Sequence, residues 1–174
     1  MPVPTAQLLI TSHCPHCPAA LAALADLVKS GALGRLEVVN LEVHPEVGEA
    51  LGVRSVPWAR LGRIELAGVH SPAEYADWAA KADTETGMAD WFHVLLKEGQ
   101  LPRVQAAIEA EPALLAAVLP IVGNVEASLN VRLGAGVLFE IFAGSEALAA
   151  LIPRLGGLSR DPDARVRADA CHYL

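Results

Sequence analysis

Between residues 7 and 80 the chain alternates short apolar runs with stretches in which apolar residues recur at helical spacing. Residues 7–11 hold the continuous apolar centre Leu8-Leu9-Ile10, which predicts a central strand covered on both faces. Residues 18–30 place Leu21, Leu24, Ala25 and Val28 at helical spacing ahead of Gly31 and Gly34, so they predict an amphipathic helix that stops there. A second apolar strand follows at 36–41, and a strand–helix–strand unit of this length requires a parallel, right-handed crossover. A short helix is predicted at 45–51. Residues 58–61 and 63–67 then read as two short strands joined at Gly62-Arg63, the spacing of an antiparallel hairpin. Ser71-Pro72 opens a last helix that runs through Trp78 and Ala80. The order β-α-β-α-β-β-α predicts an α/β domain over 1–83, a four-stranded mixed sheet with helices on both faces.

The pattern changes after Asp83. Strand signals stop, and alanine- and leucine-rich helices are predicted near 87–98, 101–110, 113–122, 125–142, 145–156 and 162–174. Breaks fall at Gly99, Pro112, Gly123, Gly144 and the Asp161-Pro162-Asp163 turn. Residues 84–174 are therefore read as a second, all-α domain. Within it Val131-Arg132-x-x-Ala135 is echoed by Val166-Arg167-x-x-Ala170 at an offset of 35 residues, the range of paired-helix solenoid repeats. An alanine-rich helix also produces so short an echo by chance; the turn at Arg160-Asp161-Pro162-Asp163, just before the second copy, argues for a repeat.

Composition agrees with a folded chain: of 174 residues 53% are hydrophobic and 19% charged, with a mean hydropathy of +0.36. The net charge is −7, and acidic residues outnumber basic ones in both halves, so nucleic acid and anionic membrane surfaces are poor partners. No apolar run approaches the ~20 residues of a membrane span. Met1-Pro2-Val3-Pro4 has neither the basic start nor the apolar stretch of a secretory signal. The chain reads as soluble and cytoplasmic.

Three cysteines are too few for a disulfide scaffold, and a Cys14-x-x-Cys17 pair in a reducing compartment reads as redox-catalytic or metal-binding. Cys14 lies at a strand-to-helix junction, where unpaired N–H groups and the helix dipole favour an anion. Its pKa is expected to be lowered into the ~3.5–7.5 range of such sites, which makes Cys14 the nucleophile. Cys17, about one helical turn on, is placed to attack a mixed disulfide at Cys14 and is the resolving thiol. His16 adds positive charge when protonated and a hydrogen bond when neutral, so it is assigned to pKa tuning. His13 acts in the same way or is an exposed loop histidine. Two other readings stay open: a metal site on the two cysteines and nearby histidines, although no second Cys/His pair follows at finger spacing, and two buried, inert thiols.

With those residues in place, 7–80 resembles the thioredoxin superfamily: a strand, Cys14-Pro15-His16-Cys17, a helix, then Gly52-Val53-Arg54-Ser55-Val56-Pro57 before a hairpin. The resemblance implies that Pro57 is the cis-proline beside the cysteine pair. It also implies that the backbone of Val56 pairs with an extended substrate segment. Trp58 lines a groove or, as a large aromatic opening a strand, belongs to the core. The outline is nearer the minimal glutaredoxin core, while the Pro-His dipeptide is that of bacterial disulfide-forming oxidases, which are exported; the direction of electron flow stays open.

The second half resembles HEAT repeats, whose second helices commonly open with Asp-Pro-x-x-x-Val-Arg-x-x-Ala, as at 161–170. The chain stops at Leu174 inside that helix without a cap, which reads as a chain that continues or a stacking face that binds something. Cys171, beside His172, reads as a small buried hydrophobe or as a third redox thiol.

Together these features predict a cytoplasmic thiol–disulfide oxidoreductase acting on a protein disulfide or thiol, its helical repeats forming the partner surface. No cofactor is called for beyond the Cys14–Cys17 disulfide itself. The alternatives are a redox-gated interaction scaffold with little turnover, and a metal-binding carrier.

Overall fold

Leu8 and Leu9 are both 0% exposed, and the strand that holds them, β1 (Thr5–Ile10), lies inside a four-stranded sheet. The computed structural model describes residues 3–174. By its contacts the chain divides into two units, Met1–Thr84 and Glu85–Leu174.

In the first unit β1 pairs in parallel with β2 (Arg35–Asn40) and antiparallel with β3 (Trp58–Leu61), which pairs antiparallel with β4 (Ile64–Ala67). The strand order is β2-β1-β3-β4. Three helices flank it: α1 (Cys17–Ser30), α2 (Pro45–Ala50) and α3 (Pro72–Lys81). Helix α1 packs against α3, β1 and β2. Alternation of side chains across the pleat sets Ala6, Leu8, Ala59, Leu61, Ile64 and Leu66 on one face, and all six are buried.

The opposite face departs from the expectation of apolar cover on both sides. There Leu9 and Trp58 are buried, but Gln7 donates to Glu37 at 2.8 Å and accepts from Arg60 at 3.1 Å, a polar row across three strands. Strand β2 also differs from its reading as an apolar strand. Among the described residues it pairs on one side only, at the sheet margin, and Val38 is left exposed. Strand ends follow the ladder more than the apolar pattern. Pairing reaches back to Thr5↔Arg35, and β1 therefore starts before its apolar centre.

Gly62 begins the two-residue turn between β3 and β4 with φ +55, a region that costs other L-residues roughly 1–2 kcal/mol. The Asp83 carboxylate sits against it and accepts the Arg63 N–H at 3.2 Å. A Cβ at Gly62 would lie 2.5 Å from Asp83 Oδ2, whereas one at Gly31, which closes α1 with φ +81, would meet open space. Gly62→Ala is therefore expected to cost about 2 kcal/mol or more in urea unfolding. Gly31→Ala should cost only the backbone part. Equal losses would show that the Asp83 contact contributes nothing.

Helix α3 starts with a reciprocal cap. Ser71 Oγ accepts the Glu74 N–H at 3.2 Å, and Glu74 returns a carboxylate to the Ser71 N–H at 2.7 Å. These bonds hold the Glu74 carboxyl below its ordinary range, chiefly through the Ser71 N–H.

The second unit is helical: α4 (Glu85–Lys97), α5 (Leu101–Ala110), a 3₁₀ helix (Pro112–Val118), α6 (Leu119–Val122), α7 (Leu129–Ile141), α8 (Glu146–Ala149), α9 (Ile152–Leu158) and α10 (Ala164–His172). Four of the predicted spans are shorter or broken, the last of them, 162–174, being helical only over Ala164–His172. Pro120 removes the N–H that would continue an α-helix through 113–122, and the first part closes as 3₁₀ turns. Pro153 does the same inside 145–156. Helix α7 starts at Leu129, four residues later than predicted, because Asn124 Oδ1 takes the Glu126 N–H at 2.9 Å and folds 124–127 into a turn.

Trp91, Phe92, Leu95, Val104, Ile108, Leu115, Leu138 and Leu155 fill the core of this unit. Val131 and Ala135 of α7 are buried, and so are Val166 and Ala170 of α10. The two arginines of the echo differ: Arg132 forks onto Asp169 with contacts of 2.6–2.8 Å, whereas Arg167 donates to the carbonyls of Asp161 and Pro162 at 2.8 Å. Asp163 caps α10 by accepting the Arg165 and Val166 N–H groups. Gly136 of α7 lets Tyr173 approach so closely that a Cβ would stand 2.8 Å from its hydroxyl. Among the described residues no helix is long and apolar enough to cross a membrane.

Candidate functional site

The chain leaves β1 after Ile10 and turns through Thr11–His16 into α1, with the Cys14 N–H bonded to the Thr11 carbonyl at 3.4 Å. Cys17 is the first residue of α1, followed by Pro18, whose missing N–H is no loss in a first turn. No acidic side chain occupies that turn. Nothing negative there competes with a sulfur for the free N–H groups.

Cys14 and Cys17 are joined in a disulfide with S–S 2.11 Å and Cα–Cα 5.5 Å. The Cys17 N–H also donates to Cys14 Sγ at 3.1 Å. Exposure separates the two: Cys17 is 3% exposed, while Cys14 is only partly covered. Of the two, Cys14 is the residue that reaches solvent. A backbone N–H aimed at a sulfur favours the charged form of that sulfur over its thiol.

His16 stands immediately before α1, and its carbonyl accepts the Ala20 N–H at 3.3 Å. Its ring is exposed and does not cap the helix. His13 is 92% exposed at its side chain and lies 3.5 Å from a Glu42 oxygen.

The Val56–Pro57 peptide is cis. Leu9 faces Trp58 across the β1–β3 ladder, so the exit of β1 toward Cys14 and the entry of β3 from Val56–Pro57 lie at the same end of the sheet. Pro57 is buried, and its carbonyl accepts the Gly68 N–H at 2.9 Å. Val56 is partly exposed and takes part in none of the backbone hydrogen bonds of turns and loops among the described residues. Trp58 is 5% exposed, with the Arg60 guanidinium 6.0 Å from its ring centre, and belongs to the core.

Cys171 is a free, exposed thiol on α10, contrary to its reading as a small buried hydrophobe. Helix α10 buries Val166 and Ala170, and residue 171 falls outside that line. Among the described residues no group of three or more His, Cys, Asp or Glu side chains is placed to hold a metal ion.

Three residues around the pair were missed in the sequence. The Asn40 amide donates to Ser12 Oγ at 3.0 Å, its carbonyl takes the Glu42 N–H at 2.9 Å, and Glu42 accepts the Ser12 N–H at 3.2 Å. The available signal was an asparagine ending a strand two residues before an acidic one, the spacing of a side-chain turn.

Comparison with protein-family models, with curated proteins and with solved structures finds no match to this chain. What fold and site define together is a four-stranded mixed sheet with flanking helices that carries a cysteine pair in a disulfide at the start of its first helix.

Proposed function

We propose that this chain is a thiol–disulfide oxidoreductase of thioredoxin-like build, acting on a protein disulfide or thiol. The observation that carries this reading is the pair itself. Cys14 is accessible, hydrogen-bonded to the Cys17 amide at 3.1 Å and seated before a 14-residue helix, with Cys17 buried behind it.

In the reducing direction Cys14 thiolate attacks one sulfur of a substrate disulfide. The substrate S–S bond breaks, a Cys14–substrate disulfide forms, and the other substrate sulfur leaves as a thiolate. Cys17, as its thiolate, then attacks Cys14 Sγ, closing the Cys14–Cys17 disulfide and releasing the second substrate thiolate. Two electrons pass to the substrate, and a dithiol or low-molecular-weight thiol restores the pair. Run backwards, the same steps oxidise a substrate dithiol. The backbone of Val56, which makes none of the turn and loop hydrogen bonds among the described residues, supports strand-like docking of an extended substrate segment, with Pro57 shaping that end of the sheet. His16 adds positive charge on the same turn when protonated.

The second unit serves in this reading as the partner surface, its HEAT-like character supported by Val131/Ala135 and Val166/Ala170 being buried alike and by the Arg132–Asp169 fork between the two echoed helices.

The test is an equilibrium redox titration of the Cys14/Cys17 pair against glutathione buffers. A potential near the roughly −270 mV of thioredoxin would indicate a reductase of the cytoplasm; one near about −120 mV would indicate an oxidase of an oxidising compartment. If no Cys14–Cys17 disulfide forms at any ratio, the oxidoreductase reading is wrong.

A further inference from the structure

Beyond the two cysteines, the turn that delivers Cys14 is fastened from a distant part of the chain. Its backbone makes one weak internal bond, from the Cys14 N–H to the Thr11 carbonyl at 3.4 Å. The firmer ties come from the segment after β2. Asn40 holds the Ser12 hydroxyl at 3.0 Å with its amide and the Glu42 N–H at 2.9 Å with its carbonyl. Glu42 completes the loop by accepting the Ser12 N–H at 3.2 Å. Two side chains thus grip both the backbone and the side chain of the residue two before Cys14, and each steadies the other.

We propose that Glu42, together with Asn40, is a positioning residue for Cys14: the clamp on Ser12 sets where the turn passes and so keeps Cys14 Sγ on the Cys17 amide. This rests on the reading of Cys14 as the exchanging thiol. Glu42 acts through Ser12 and does not touch the sulfurs.

The carboxylate is suited to the task. Its carboxyl is held below the ordinary range, first by the Ser12 hydroxyl, with slight burial opposing and His13 and the Ser12 N–H assisting, so it is an ionised acceptor at neutral pH. His13 contributes little to holding the turn, since its contact is 3.5 Å long and its ring is almost wholly in solvent. The titratable groups adjoining Cys14 on its own segment are His13 and His16, and Glu42 is the carboxylate brought to that segment from the loop after β2.

Positioning and charge have opposite signatures here. Removing a negative charge near a thiol, and nothing else, makes its thiolate easier to form and lowers its pKa. Loosening the clamp instead lets Sγ drift from the Cys17 amide, and the thiolate becomes harder to form.

The experiment follows alkylation of the fully reduced chain by iodoacetamide against pH, with peptide mass spectrometry reading Cys14 apart from Cys17 and Cys171. Glu42→Ala is expected to move the Cys14 midpoint up by about one pH unit, roughly a tenfold loss of thiolate below it. Asn40→Ala should move it in the same direction, and the double variant little further, since both act through one network. Glu42→Gln, which keeps an oxygen for the Ser12 N–H, should restore most of the original midpoint. A midpoint that stays in place in Glu42→Ala, or that falls equally in Glu42→Ala and Glu42→Gln, overturns the proposal. Should Glu42→Ala not fold, Asn40→Ala decides by the same criterion. Alkylation needs no redox partner: an upward shift alongside a failed glutathione titration would leave the clamp standing and remove the oxidoreductase reading.

Discussion

Cys17→Ser is expected to accumulate stable mixed disulfides through Cys14, while Cys14→Ser captures none and loses exchange to background. The asymmetry follows from exposure. Cys17 is 3% exposed and opens α1, so in the proposed reaction a substrate sulfur reaches Cys14 and not its neighbour. Once the substrate is bound at Cys14, release depends on a second thiolate about one turn away, and a serine hydroxyl at 17 is far too weak a nucleophile to supply it. The check is non-reducing electrophoresis with mass spectrometry of the trapped species after incubation with disulfide-bearing proteins. Capture through Cys17 in the Cys14→Ser variant, at the level seen for Cys14, would contradict the assigned roles.

Leu8→Ala is expected to cost about 3–4 kcal/mol, within the range for emptying a fully buried leucine site. Leu8 is 0% exposed and pairs with Val38 on one side and Ala59 on the other, so neighbouring strands hold the vacated space open. Its partner across the parallel ladder makes the control. Val38 is 40% exposed at the sheet margin, and Val38→Ala should stay within about 1 kcal/mol. Urea unfolding followed by far-ultraviolet circular dichroism measures both. Similar losses at the two positions would mean that β1 is not the core strand. Small domains have only about 5–15 kcal/mol of stability in total, so the Leu8 loss alone removes a large share of what holds such a unit folded.

Much of the first unit was legible because its signals are local. Leu8-Leu9-Ile10 marked the central strand, Gly31 the end of α1, and Gly62-Arg63 the hairpin, where the glycine's positive φ is what the turn requires. Other features depend on neighbours that local pattern does not reveal. Whether Val38 is covered is decided by β2 lying at a margin, and the Glu37–Gln7–Arg60 row joins residues 30 and 53 positions apart. The helical breaks at Pro120 and Pro153 were visible as prolines, but apolar periodicity carried the reading across them. At the site, Cys14 and Cys17 stood out by spacing alone. The Ser12–Asn40–Glu42 clamp did not, because it closes only once β1 and β2 pair in register, with Ile10 beside Asn40.

The polar row also bears on how the margin of the sheet meets other molecules. A sheet of order β2-β1-β3-β4 leaves the far side of β2 unpaired by any strand among the described residues, and an unpaired strand of six residues is a template on which another chain can lengthen the sheet. Arg35 and Glu37 put opposite charges on that strand, and Glu37 is kept in place by its bond from Gln7. A hydrophobic strand arriving from a second molecule would have to strip water from both charges. Gln7, held at one end by Arg60 and holding Glu37 at the other, thus links the interior of the sheet to the protection of its margin against aggregation.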